Sequence, residues 1–287
     1  MSTPSQSNFF LGCAIWAKRE WIGSLYPSGT RPSDFYRLYT RRFTTVEGNT
    51  TFYVVPDRDT IARWAADSPP GFELCPKLPR DLTHAGPLQP SIPGAARFVE
   101  DMRGLGAHLG PIFAQLPPTY DPDSLPDLDA FLTAWPHDQA RLALEVRHPD
   151  WFREPHRSRL NALLESRGTG RVLLDSRPIY EGPPHPALPS EHKKPRRPVD
   201  PVLTAPFSLI RFISHPQKEE NRAFLENWID PLTRWLRKGV KVYFFVHCPD
   251  DVYTPENARD LQRLFEERGV PVPPLPWSGA GAQLRLL

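Results

Sequence analysis

Eight short runs of β-forming residues, each followed by an amphipathic helical run, recur along this chain at intervals of roughly 30 to 38 residues. They begin near Phe9, Phe43, Phe72, Leu109, Arg141, Arg171, Phe207 and Val240. Repetition of strand, crossover helix and strand demands a parallel sheet covered by helices. Eight such units in 287 residues match one α/β fold, a single (β/α)8 barrel. The barrel is expected over residues 9–270, with a Pro-rich basic loop inserted at 177–206 between the sixth and seventh strands and a tail at 271–287. Nine of the 36 prolines fall in that loop, where they cannot break a helix or a ladder. Helix punctuation agrees with the count. Asp57, Ser91 with Pro93, and Thr254 with Pro255 precede three helical runs, and Gly168, Gly239 and Gly269 stop three. Pro231 is expected to kink the seventh helix.

Charge narrows the class of function. With 35 Lys and Arg against 33 Asp and Glu, the chain is neither a disordered charged tail nor a supercharged nucleic-acid coat. No stretch approaches the roughly 18 apolar residues of a membrane helix, and the first eight residues are polar and lack a signal-peptide pattern. Cys13, Cys75 and Cys248 form no C-x-x-C pair, so neither a disulfide framework nor a zinc site is expected. A soluble, cytoplasmic protein is the expectation.

Side chains alternate between the two faces of a strand, so the apolar positions assign the polar ones. Leu142, Leu144 and Val146 share the helix-facing side of the fifth strand, which turns Glu145 and Arg147 inward. The same count turns Glu47, Asn49, Lys77, Gln115, Asp175, Arg211 and His247 inward, near the C-terminal strand ends where barrel enzymes place their chemistry. Buried charges need partners or a ligand. Three carboxylates (Glu47, Glu145, Asp175) facing three cations (Lys77, Arg147, Arg211) resemble an acid/base site for a small anionic or sugar-like molecule. Glu145, Glu47, Asp175 and Lys77 are the expected catalytic groups, with Asn49, Gln115, Arg147, Arg211, His84, His148, Trp16 and Tyr53 binding the substrate. Glu145, set between Arg147 and Asp175, is expected to titrate near neutral pH. Trp16, Trp21, Tyr26, Phe52, Tyr53 and Trp151 follow strands one, two and five and could wall the mouth.

A metal-free hydrolase or lyase without a cofactor is the leading expectation. One alternative is a metal-dependent barrel resembling sugar isomerases or endonucleases, with His84, His148, His215 and His247 joining Glu145 and Asp175 around a divalent ion. The other is a non-catalytic binder of protein or nucleic acid, with a weak nucleic-acid contact through Lys193, Lys194, Arg196 and Arg197; a solvated loop is the plainer account of that patch. Neither a G-x-S-x-G elbow nor a glycine-rich phosphate cradle is present. The oligomeric state is not legible.

Several motifs carry a family resemblance: Gly12 to Trp16, Trp21-Ile22-Gly23, Tyr26-Pro27, Val46-Glu47-Gly48-Asn49-Thr50-Thr51-Phe52-Tyr53, Lys77, Thr83-His84, Leu109-Gly110-Pro111, Gln115-Leu116-Pro117-Pro118, Glu145-Val146-Arg147-His148 with Trp151, Asp175, Arg211 and Asn257-Ala258. In these the chain resembles the domain of unknown function 72 (YecE-like) family of TIM-barrel proteins. The resemblance implies the barrel and supplies no reaction. The chain departs from the family pattern at the end of the seventh strand, Phe212-Ile213-Ser214-His215, and of the eighth, Val246-His247-Cys248.

Overall fold

In a computed structural model, which describes residues 8–188 and 194–279, strands form within three residues of each expected start. They are β1 Phe9–Cys13, β2 Thr45–Gly48, β3 Glu73–Pro76, β4 Ile112–Gln115, β5 Leu142–Glu145, β6 Gly170–Asp175, β7 Phe207–Ile213 and β8 Lys241–His247. Between and after them lie α1 Phe35–Tyr39, α2 Arg58–Asp67, α3 Arg80–Thr83, α4 Ile92–Met102, α5 Leu125–Ala134, α6 His156–Ser166, α7 Arg177–Glu181, α8 Arg222–Arg237 and α9 Thr254–Glu267. The Asp57 carboxylate accepts from the Thr60 amide at 2.8 Å and so caps α2. Gly168, Gly239 and Gly269, all at positive φ, close α6, α8 and α9. Pro231 does not end its helix: α8 runs through it, held down by its buried face of Leu225, Trp228, Leu232 and Trp235. Among the described residues no helix is long and apolar enough to cross a membrane.

Every ladder is parallel. Six strands form a half-barrel sheet in the order β1-β8-β7-β6-β5-β4, and β2 pairs with β3 in a second sheet. Outward side chains such as Leu11, Val46, Leu74, Leu144, Phe212 and Phe244 join one apolar cluster with the helices. Inward ones, among them Phe10, Cys75, Phe113, Ala143, Val172, Leu209 and Phe245, form a separate cluster. Beneath that cluster, toward the N-terminal strand ends, Glu73 is bound by Arg141 (2.6 Å), Lys241 (3.1 Å) and the Tyr243 hydroxyl (2.5 Å). This plug of opposite charges fills the interior at that end.

The two sheets meet at two seams. Thr44 N donates to Leu11 O (3.1 Å) between β1 and β2, while Gly110 N to Leu74 O (2.8 Å) and Leu78 N to Phe113 O (2.9 Å) join β3 to β4. A glycine stands at each seam because the chains approach too closely for a side chain. A Cβ at Gly110 would lie 2.5 Å from Cys75 Sγ, and one at Gly12 would overlap the Thr45 carbonyl. Relief at Gly12 requires moving backbone rather than a flexible side-chain tip. Gly12→Ala is therefore expected to lower stability by about 3 kcal/mol, measured as a fall in the urea midpoint by circular dichroism.

Candidate active site

Inward residues at the C-terminal strand ends form a buried ionic cluster. Arg211 of β7 donates two parallel hydrogen bonds to Glu47 of β2, Nε to Oε2 and Nη2 to Oε1, both 2.8 Å, and a third from Nη1 to Glu145 Oε2 of β5 at 2.6 Å. Glu145 Oε1 accepts from Arg147 Nε at 2.7 Å. Arg147 Nη2 (2.7 Å) and Lys77 Nζ (3.0 Å) both donate to Gln115 Oε1. His247 of β8 lies 3.0 Å from Glu47 Oε2, and because an ionised carboxylate only accepts, its Nε2 carries the proton. Glu47, Lys77, Gln115, Glu145, Arg147, Arg211 and His247, all expected to face inward, thus meet in one network.

The electrostatics differ from expectation at Glu145. Burial would raise its pKa, but Arg211 and Arg147 overrule burial and hold the carboxyl at about 2. Glu47, buried yet bound by Arg211 and His247, is likewise held well below the carboxylate range. Neither titrates near neutral pH. Lys77 does: burial, reinforced by the Arg211 charge, pulls its pKa down to about 7 against the partial support of Glu47 and Glu145. Burial also lowers His247 to about 4, so that it is neutral. Lys77 has no carboxylate within hydrogen-bond reach among the described residues. Its ammonium position lies 3.9 Å over the Phe52 ring, and its main chain is pinned on both sides by Thr51 Oγ1 (2.9 Å to N, 2.6 Å to O).

Above the cluster opens a cavity of about 630 Å³ whose lining includes Asn49, Phe52, Tyr53, Lys77, Gln115, Arg147, Lys194, His247 and Asp251. Glu47, Glu145 and Arg211 lie beneath this lining. Among the described residues, the charges facing the cavity are cationic apart from Asp251. Asn49 Nδ2 donates to Ala14 O at 3.1 Å, while Tyr53 is largely exposed at the rim.

Four expected site residues lie elsewhere. Asp175 points outward, salt-bridged to Arg177 at 2.7 Å and accepting from the indole of Trp228 at 3.0 Å. Its register partner is the outward Phe212, and it is Leu174 that pairs with Arg211 and turns inward. Asp175→Asn should thus reduce stability by about 1–3 kcal/mol, measured in chemical denaturation. Trp16 packs edge-on against Tyr36 and Trp64 in the outer core; Trp21, Tyr26 and Trp151 are fully buried there too, leaving Phe52 and Tyr53 as the aromatics of the mouth. His148 accepts from the Asp150 amide at 3.3 Å and caps the turn after β5. His84 stacks edge-on against Phe52 and faces a shallower neighbouring hollow, where burial and Lys77 lower its pKa to about 4.

Among the described residues no three His, Cys, Asp or Glu side chains gather in a manner that could hold a metal. His215 contacts Pro183 O and the Gln217 amide, away from Glu145. Burial raises the three free thiols, Cys248 to about 12, which leaves them poor nucleophiles.

The Pro-rich segment covers the mouth instead of standing in solvent. Pro186, Ala187 and Leu188 line the cavity with Lys194, and Arg197 donates to the Arg147 carbonyl at 2.8 and 3.0 Å. Arg196 pairs with Glu181 at 3.1 Å, and Lys193 lies outside the described residues. Burial and the Arg211 charge lower Lys194 to about 8. As one member of a basic run, Lys194 reads as a surface charge; only its proline-rich setting hinted that the segment is folded back.

A family model described as "Protein of unknown function DUF72" matches residues 10–280. The chain is 33% identical over 274 residues to UPF0759 protein YecE of Escherichia coli K12, covering 93% of this chain and 97% of that one, and the same protein of Escherichia coli O157:H7 matches to the same extent. Among solved structures, a DUF72 family protein from Enterococcus faecalis V583 aligns with a TM-score of 0.67 at 16% identity, covering 90% of this chain and 95% of that one. One from Thermotoga maritima MSB8 aligns with a TM-score of 0.67 at 21% identity, covering 90% and 99%. These structural likenesses concern the fold alone.

Proposed function

The chain belongs to the DUF72 family of proteins of unknown function, and from that premise we propose that it is an enzyme, a hydrolase or lyase acting without a metal on a small anionic or sugar-like molecule. We also infer that the two sheets close into one (β/α)8 TIM barrel, with the hydrogen bonds across both seams as support. The observation that carries the enzymatic reading is the buried amine of Lys77, which has no carboxylate partner among the described residues and lines a cavity whose other described charges are mostly cationic. With a pKa of about 7, Lys77 is substantially neutral at physiological pH and can accept a proton. That proton comes from water in a hydrolysis, or from carbon beside a leaving group in an elimination. Arg147 and Lys194 would hold the substrate's negative charge. Glu47 and Glu145, permanently ionised, serve as struts that fix Arg211 and Arg147, a revision of the acid/base role expected for them.

The nucleic-acid reading is weakened because Lys194 and Arg197 are engaged at the mouth. Three buried free thiols accord with a reducing compartment, and we propose a cytoplasmic location on that basis. The function is tested by incubating chelator-treated protein with a pool of small carboxylates, phosphate esters and sugars, followed by NMR. Conversion of a pool member by the wild type and not by Lys77→Met is expected. No conversion of any member, or conversion that survives in Lys77→Met, overturns the reading.

A further inference from the structure

Lysine is the rarer cation in this chain: seven of the 35 Lys and Arg residues, at positions 18, 77, 193, 194, 218, 238 and 241. Arginine performs the structural pairing in the cluster, at Arg147 and Arg211, where a fork of donors and a permanent charge are needed. The residue at position 77 makes no ion pair among the described residues. Its side chain rests on an aromatic face and donates to a neutral amide, and the residue lines the cavity. An arginine there could never become a nucleophile. A lysine can, once burial removes its proton. The second cation, Lys194, enters from the covering segment, and its ammonium has no hydrogen-bond or ion-pair partner among the described residues.

We propose that Lys77 is an imine-forming nucleophile and that the cavity takes a small aldehyde or ketone bearing an anionic group, held by Lys194 and Arg147. The inference rests on the mouth being an active site and names its substrate class. In the first step the lone pair of Nζ attacks the carbonyl carbon, the C=O π pair moves to oxygen, and a proton passes from nitrogen to oxygen to give a carbinolamine. In the second, the C–O bond breaks, the oxygen leaves as water with the remaining proton of the nitrogen, and the nitrogen pair forms the C=N bond. The balance is one amine plus one carbonyl to one imine plus one water, with no oxidant or reductant. Protonated, the imine withdraws electrons from the neighbouring carbon, which is the activation that cleavage of an adjacent bond requires. Ammonium–carboxylate pairing would have blocked the attack, and the described residues supply none at this atom.

The test uses the full-length protein with sodium cyanoborohydride and three separate probes: pyruvate, glycolaldehyde phosphate and the uncharged propanal. Intact mass and peptide mapping read the adduct. Reductive labelling is expected to fall on Lys77 at least about tenfold faster than on any other of the seven lysines, with an anionic probe ahead of propanal. Comparing pyruvate with the phosphate tells which anion the mouth prefers, and Lys194→Met should reduce the advantage of both over propanal, Arg147 remaining, while Lys77 is still labelled. Labelling spread evenly over the lysines, or concentrated at Lys194, overturns the proposal. The primary readout is on the wild type, so a poorly folding variant cannot obscure it. If pool turnover requires Lys77 but no adduct is trapped, the imine fails and the general-base reading stands. If the adduct is trapped and nothing in the pool is converted, the hydrolase or lyase reading fails and the nucleophile stands.

Discussion

Replacing Arg211 with Met is expected to cost roughly 3–5 kcal/mol of folding stability, because it strands two carboxylates in the interior. Arg211 makes three of the hydrogen bonds to Glu47 and Glu145, all between side chains that water barely reaches. At about 2–4 °C per kcal/mol for a domain this large, the melting temperature should drop by about 6–20 °C. The sign with pH follows from the carboxylates. Their folded pKa values are depressed, so their stabilising contribution is present above the unfolded value near 4.5 and is lost as pH falls toward the folded value, about 2 for Glu145. The gap between wild type and Arg211→Met should therefore be largest at neutral pH and above, and narrow as falling pH protonates the carboxylates stranded in the variant, whose folded pKa burial raises, while those of the wild type stay ionised. Combining Arg211→Met with Glu47→Gln and Glu145→Gln should recover part of the loss, since no unpaired charge then remains. A single variant that melts within a degree or two of wild type at pH 7 would contradict the strut role.

Lys77→Met is expected to do the opposite to stability and to remove function. In the proposed role of proton acceptor, Lys77 would contribute about 10²–10⁴-fold to turnover, and that factor should vanish. Wild-type turnover should rise with pH along a limb centred near 7, the value to which burial and Arg211 bring the amine. The groups facing it are Arg211, Glu47, Glu145, Arg147, Lys194 and His84; the carboxylates stay ionised across this limb, His84 stays neutral, and Lys194 titrates about one unit higher. Stability moves with the proton as well. The folded pKa lies below the unfolded value of 10.5, so burying Lys77 carries a penalty that is complete below pH 7 and disappears as pH rises to 10.5. Met, of similar length and apolar, should thus stabilise the protein by a few kcal/mol at pH 6 and by little at pH 10.5. Denaturant titrations of both proteins at the two pH values measure the difference. A destabilised Lys77→Met at pH 6 would mean that the ammonium is well solvated or paired in the fold.

Most of the architecture was legible before any coordinates. Strand–helix alternation is a local pattern, set by burial of one stripe on each helix, and all eight strands appear close to their expected starts. Facing was legible wherever a strand alternates cleanly: Leu142, Leu144 and Val146 on one side of β5 force Glu145 and Arg147 to the other, where they are found. At β6 the same method failed. Val172, Leu173 and Leu174 are apolar in succession because a parallel strand is buried on both faces, so no alternation remains to orient Asp175, and only the register against β7 turned it outward.

Three matters belonged to tertiary structure alone. Pairing is one: the alternation supplies a set of inward charges, but which carboxylate meets which guanidinium depends on strand order and stagger, which bring Arg211 to Glu47 across 164 positions. Protonation is the second, since Coulomb energy scales with distance and with exclusion of water, neither of which a one-dimensional spacing contains. That is why the group poised near neutral pH is Lys77 rather than Glu145. The third is the placement of the Pro-rich segment. A basic run reads as solvated surface until the fold brings it back over a cavity, where Lys194 is the charge that enters. Local pattern determined the elements and the faces of this protein, while long-range packing, which alone sets distances and excludes water, decided which of the inward residues can react.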